Sequence, residues 1–263
     1  VGDTGEVVAI STATNQIVWR VRTDGMPHHM TVSPDGHFVF VPYFNSTWLA
    51  VVDTRTHAVV KRLSASYGSH VTQLSPDGTK IFVGSMFGDD VTIYDVATQK
   101  PVGHIPFASG VRPFAITADQ KTMYVQRSRL HGFDVVDIAS QKVLRTVDLP
   151  ALPPGTKLPQ FLPHTVDHGI ALSHDGKLLL ANGSIANYVV AYSVPDLTLK
   201  AIIPVGKDPN WIAFSRDDKA AFISDRGSDE LSVISIPDLK EIKRLKTGGY
   251  PQRIHLVSVP DGP

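Results

Sequence analysis

A four-residue turn recurs along this chain at near-constant spacing. Ser33-Pro34-Asp35-Gly36 returns as Ser75-Pro76-Asp77-Gly78, with the two serines 42 residues apart. Thr117-Ala118-Asp119-Gln120 follows after another 42, Ser173-His174-Asp175-Gly176 after 56, and Ser215-Arg216-Asp217-Asp218 after 42 more. A sixth, degenerate copy lies between Val257 and Gly262. A period of this length marks a chain built from stacked copies of one supersecondary unit. The long interval reads as a 42-residue period carrying an insertion of 14 residues.

Each period has the same anatomy. A short apolar strand precedes the turn, and a second follows it: Phe38–Val41, Ile81–Val83, Met123–Val125, Leu178–Leu180 and Ala221–Ile223. These runs are apolar at consecutive positions, as strands buried on both faces must be. A third strand, such as Leu49–Val52, ends at Asp53, with Ser11, Asp95, Asp137, Ser193 and Ser235 in register. Small polar side chains there can bond nearby backbone groups and close a turn. A fourth strand follows, as in Val59–Leu63 and Lys142–Arg145. No segment keeps a helical period. Four strands per repeat predict an all-β propeller of four-stranded blades. The repeats suffice for six blades in a single domain spanning 1–263, with one blade shared between the two ends. Seven blades are expected if the chain is incomplete.

The blades lack the Trp-Asp pair of WD40 repeats. With their Ser-Pro-Asp-Gly turns, the Val41-Pro42-Tyr43-Phe44-Asn45 segment and the Val51-Val52-Asp53-Thr54-Arg55-Thr56 ending, they resemble the YVTN-type propellers. That group is related in fold to the haem d1 propeller of cytochrome cd1. The resemblance implies the fold and leaves function open, because propellers serve many functions.

In such a fold the first strand of each blade lines a central tunnel, and the Ser-Pro-Asp-Gly turns lie on the bottom face. The residue five before each turn serine then borders the top mouth of the tunnel. Those residues are His28, His70, Arg112, His168, Asn210 and Gln252, all polar. The proline-rich insertion, at about 150–166, falls beside the same mouth and carries His164. Stiff excursions of this length tend to cover sites.

Three readings of this mouth follow. The first is a metal site of His28, His70 and His168, with His29, His131 and His164 as further candidates. Neutral imidazoles suit zinc, copper or iron, and three of them leave a position open for water or substrate. The six-bladed peptidyl-hydroxyglycine lyase is similar in principle, with a histidine-bound zinc in its tunnel. Strand alternation sends His29 away from His28 unless the strand starts irregularly. The second reading is a small-molecule site in which Arg112, Arg127 and Arg129 form a cationic wall for a carboxylate or phosphate, with Tyr43 and Trp48 beside it. Lactone-hydrolysing propellers set a precedent for it. The third is a non-catalytic protein-interaction platform or subunit of a larger complex, anchored by Tyr43, Phe44, Trp48, Met86 and Phe87. The bland alternatives are a polar rim bonded to water, surface arginines paired with Asp89, Asp90 or Asp134, and aromatics packed down onto the rim.

Composition narrows these choices. Lys plus Arg and Asp plus Glu both number 25, so no net field draws nucleic acid or an anionic membrane. No apolar run is long enough for a membrane-spanning helix. With no cysteine there is no disulfide, thiolate ligand or thiol nucleophile. A cysteine-free chain opening on Val1 fits a trimmed periplasmic or extracellular protein. Gly84-Ser85-Met86-Phe87-Gly88 has the wrong spacing for a nucleophile elbow, and no glycine loop would cradle phosphate. The expected function is therefore a secreted or periplasmic propeller whose histidine-rich mouth binds a metal or small ligand, acting as a metal-assisted lyase or hydrolase.

Overall fold

The computed structural model describes residues 4–152, 154–159 and 165–257. The candidate ligand His164 and most of the last turn copy lie outside the described residues. The chain divides into two compact units, the first running to Val111 and the second from Arg112 to Leu256.

The first unit opens with a two-stranded sheet, β1 (Glu6–Ile10) and β2 (Ile17–Arg22). Two four-stranded antiparallel meanders follow. One is β3 (Thr31–Val32), β4 (Phe38–Pro42), β5 (Trp48–Asp53) and β6 (Ala58–Ser64). The other is β7 (Ser69–Leu74), β8 (Lys80–Ser85), β9 (Asp90–Asp95) and β10 (Pro101–Pro106). Val7 and Val21 pack on Val39, Val41, Tyr43, Ala50 and Val52, joining the first pair of sheets. Phe40, Leu49 and Val51 pack on Ile81, Val83 and Tyr94, joining the second. Each middle strand thus buries both faces, which explains its unbroken apolar run.

The second unit holds three such meanders. They are β11 (Val111–Ile116) to β14 (Lys142–Asp148), with β12 (Thr122–Arg127) and β13 (Gly132–Asp137) between; β15 (Ile170–Leu172), β16 (Leu178–Gly183), β17 (Tyr188–Ser193) and β18 (Leu199–Pro204); and β19 (Pro209–Phe214), β20 (Ala220–Asp225), β21 (Glu230–Ser235) and β22 (Lys240–Lys246). Phe133, Leu179, Ala181 and Val190 centre one intersheet core. Leu180, Ala191, Ile203, Ala221 and Ile223 centre the next. The fourth strands are largely exposed and carry Lys61, Arg62, Arg145, Lys243 and Arg244, charges that blunt a sheet edge against stray pairing. Residues 251–257 form no strand, so the sixth first strand expected there is not part of any ladder among the described residues.

The repeated turn works by side-chain chemistry. In the second copy Ser75 Oγ meets Asp77 Oδ1 at 2.6 Å, and the amides of Thr79 and Lys80 donate to Asp77 Oδ1 and Ser75 Oγ. The fourth position has a left-handed backbone in each copy among the described residues: Gly36, Gly78, Gln120, Gly176 and Asp218 all have φ between 53° and 73°. Glycine takes that conformation without steric cost, which is why it closes the regular copies. The third-strand endings behave likewise, with Asp53 Oδ1 accepting from the amides of Arg55 and Thr56.

Candidate functional site

The site begins with two irregular strand starts in the first unit. Pro27 bridges Tyr43, and Thr31 pairs with Phe40, so four residues on one strand advance against three on its partner. On the next sheet Ser69 pairs with Ser85 and Val71 with Gly84, leaving His70 as the extra residue of a bulge. Bulges re-aim side chains. The chain at His28 and His29 is also shared between two sheets. His28 N donates to Pro42 O at 2.9 Å within its own sheet, whereas His29 N donates to His70 O at 3.2 Å on the neighbouring one. Thr72 returns both its amide, at 3.0 Å, and its hydroxyl, at 2.8 Å, to His29 O.

The consequence is a three-histidine cluster. One ligand-capable nitrogen from each of His28, His29 and His70 lies within 4.8 Å of the others. The ring centroids are 4.8–4.9 Å apart, with the rings mutually inclined rather than stacked. His29 and His70 are buried and His28 half-buried. Strand alternation separates His29 from His28; the extra residue and the two-sheet bonding cancel that alternation and bring His29 in. Among the described residues this is the one set of three metal-competent side chains that converges.

The other candidate ligands have different surroundings. His168 is buried in the second unit, with Nδ1 2.8 Å from Asn210 O and its ring 5.9 Å from that of Trp211. It is not in the converging set. His131 is held in a dyad, Nδ1 lying 2.9 Å from the fully buried Asp167. Its Nε2 lies 2.9 Å from both Pro150 O and the Tyr188 hydroxyl. Burial opposes the charged imidazole, but the Asp167 hydrogen bond and charge outweigh it and raise the His131 pKa. Burial also raises that of Asp167, against the pull of His131. The dyad and Tyr188 thereby fasten Pro150, where the proline-rich insertion begins, to β17.

The three arginines have different surroundings. Arg127 is paired with Asp134 at 2.5 Å, as the paired-charge reading expects. Arg112 is buried and donates from Nε to Ser128 Oγ at 2.8 Å; burial, then nearby Arg226, lowers its pKa to about 9. Arg129 is exposed. Tyr43 is fully buried and packs edge-on against Trp48 at 4.6 Å, while Arg62 covers the Trp48 ring at 4.2 Å. Met86 is buried too. Tyr43 and Met86 are therefore packing residues, because solvent, ligand and partner cannot reach them without displacing the core.

The sequence matches the Lactonase, 7-bladed beta-propeller description over residues 2–254. The chain belongs to that family. Its YVTN-type resemblance holds at the level of the propeller fold. Among solved structures it is similar to the hydrazine synthase of Kuenenia stuttgartiensis, at 18% identity over 94% of this chain and 82% of that one, with a TM-score of 0.78. It is also similar to the periplasmic gluconolactonase of Pseudomonas aeruginosa, at 22% identity over 96% of this chain and 80% of that one, with a TM-score of 0.77. At these identities the likeness is one of fold. No curated protein matches the sequence. The family description counts seven blades, whereas the described residues of this Lactonase-family chain form five four-stranded sheets and one two-stranded sheet.

Proposed function

We propose that this Lactonase-family propeller is a metal-assisted hydrolase of a cyclic ester, with zinc, copper or iron held by His28, His29 and His70. The observation that carries the reading is the convergence of three imidazoles within 4.8 Å. Three neutral imidazoles are a donor set suited to these metals, and they leave a coordination position open. A divalent ion in such a site polarises an ester carbonyl and makes water nucleophilic near neutral pH. The residues of this chain would hold and orient the ion: Thr72 bonds the His29 carbonyl, and the bulge aims His70. Family membership and the gluconolactonase among the similar folds favour hydrolysis over the lyase chemistry that the histidines alone would equally allow. A periplasmic or extracellular location belongs to the same reading, supported by the absence of cysteine and by the periplasmic setting of that gluconolactonase.

The test is elemental analysis of protein purified without a histidine tag, with lactone hydrolysis assayed before and after chelation. About one transition-metal ion per chain, lost in His28→Ala and His70→Ala together with activity, is the expected result. Metal-free protein whose melting temperature is unmoved by zinc, copper or iron would sink the proposal.

A further inference from the structure

Beside the histidine cluster, three rings from three separate loops form a continuous aromatic surface. Phe44, in the β4–β5 loop, stacks on His28 with centroids 5.5 Å apart and planes 25° from parallel. Phe87, in the β8–β9 loop, meets Phe44 edge-to-face at 5.2 Å. Tyr67, in the β6–β7 connection, stacks on Phe87 at 5.6 Å and is 51% exposed. Phe44 and Phe87 are half-buried.

The backbone is shaped around these rings. Gly68 has φ +75°, and a Cβ there would sit 2.2 Å from Phe87 Cδ2, so no side chain is tolerated beneath that ring. The loops are also bonded to each other. Phe44 N donates to Met26 O, Gly68 N to Ser46 O, Met86 N to Gly68 O, and Ser85 Oγ to Tyr67 O, all at 2.7–3.1 Å. The rings are therefore held in place before any ligand arrives, which removes much of the ordering cost of binding. Asp90, an acid close by in sequence, is buried and turned to Ser66 and His104. A surface of this kind offers flat, apolar groups ring-on-ring contact.

We infer that the histidine site takes substrates whose reacting carbonyl is attached to a planar, apolar body, seated on Phe44, Phe87 and Tyr67. This rests on the metal reading above and adds the substrate class to it. Each ring contact of this type is worth roughly a twofold to tenfold effect in affinity beyond its buried area.

A matched pair of metal-chelating probes tests it without requiring turnover. Benzohydroxamate and acetohydroxamate carry the same chelating group and differ in the ring. On zinc-loaded protein, titration calorimetry should show benzohydroxamate binding about tenfold tighter or more. Tyr67→Ala and Phe87→Leu should shrink that ratio severalfold, with zinc content and acetohydroxamate affinity unchanged. Equal affinities for the two probes on zinc-loaded protein overturn the inference and leave the metal site standing. Failure of the chain to take up zinc, copper or iron overturns both. Tyr67 is exposed, so its variant guards against a fold defect in the Phe87 variant.

Discussion

The first and second units use histidine at equivalent places in the repeat and obtain different chemistry. In the first, His28 and His70 stand at the same register position of successive repeats, and His29 joins them, so three rings meet. In the second, His168 occupies that register position but its Nδ1 faces Asn210 O, while His131 is held by Asp167, Pro150 O and Tyr188. A metal at His131 would have to break a buried dyad. A metal at the first cluster would use rings already turned towards one another. Histidine count therefore says little about ligation; the partners of each ring decide it.

The sharpest way to break this contrast is to exchange its consequences by mutation. His70→Ala should abolish binding of zinc, copper or iron as measured by calorimetry, because two imidazoles remain where three converge. His131→Ala should leave metal uptake intact and instead lower unfolding stability by about 3 kcal/mol, since it strands the buried Asp167. Loss of metal in the second variant, or its retention in the first, would dissolve the distinction.

The two regions should also answer pH in opposite directions. Metal uptake by imidazoles releases protons, so occupancy of the first cluster should fall as pH drops. The folded pKa of His131 is raised, so its contribution is full below the unfolded value and is lost as pH rises through the folded one. The melting-temperature gap between wild type and His131→Ala should therefore narrow from pH 6 to pH 9, while metal occupancy of the wild type grows.

Thr72→Val should act between these extremes. It keeps the shape but removes the hydroxyl bonded to His29 O, so metal affinity should fall about tenfold with little change in fold, as supporting bonds around metal ligands generally do. The smallest effect belongs to the scaffold. Asp77→Ala should cost about 1 kcal/mol of stability, the net worth of its turn hydrogen bonds, and leave metal affinity unchanged. A large change in metal affinity there would mean that the turn and the histidine cluster are coupled.

The repeat made the scaffold legible in the one-dimensional chain. The turn residues mark where each hairpin closes, because a left-handed backbone and a Ser–Asp bond pattern need those side chains. The apolar runs mark the middle strands, because burial on both faces leaves no room for polar ones. His28 and His70 were visible as candidates through register alone. His29 is only a further candidate in the sequence, because alternation assigns it to the other face unless the strand start is irregular, and the extra residue between Pro27 and Thr31 supplies that irregularity. Tyr43 looked like a surface anchor and is core, because loop position does not reveal which rings fold inwards.

The four-stranded repeat, its turns and the polar register position at the head of each first strand are written into the order of residues. These follow from local preferences and from two-sided burial. Which histidines meet, which pair with a carboxylate, and which aromatics stay in reach of solvent were decided by tertiary structure. Those outcomes depend on single-residue bulges and on hydrogen bonds between neighbouring sheets, and neither leaves a periodic trace in the chain.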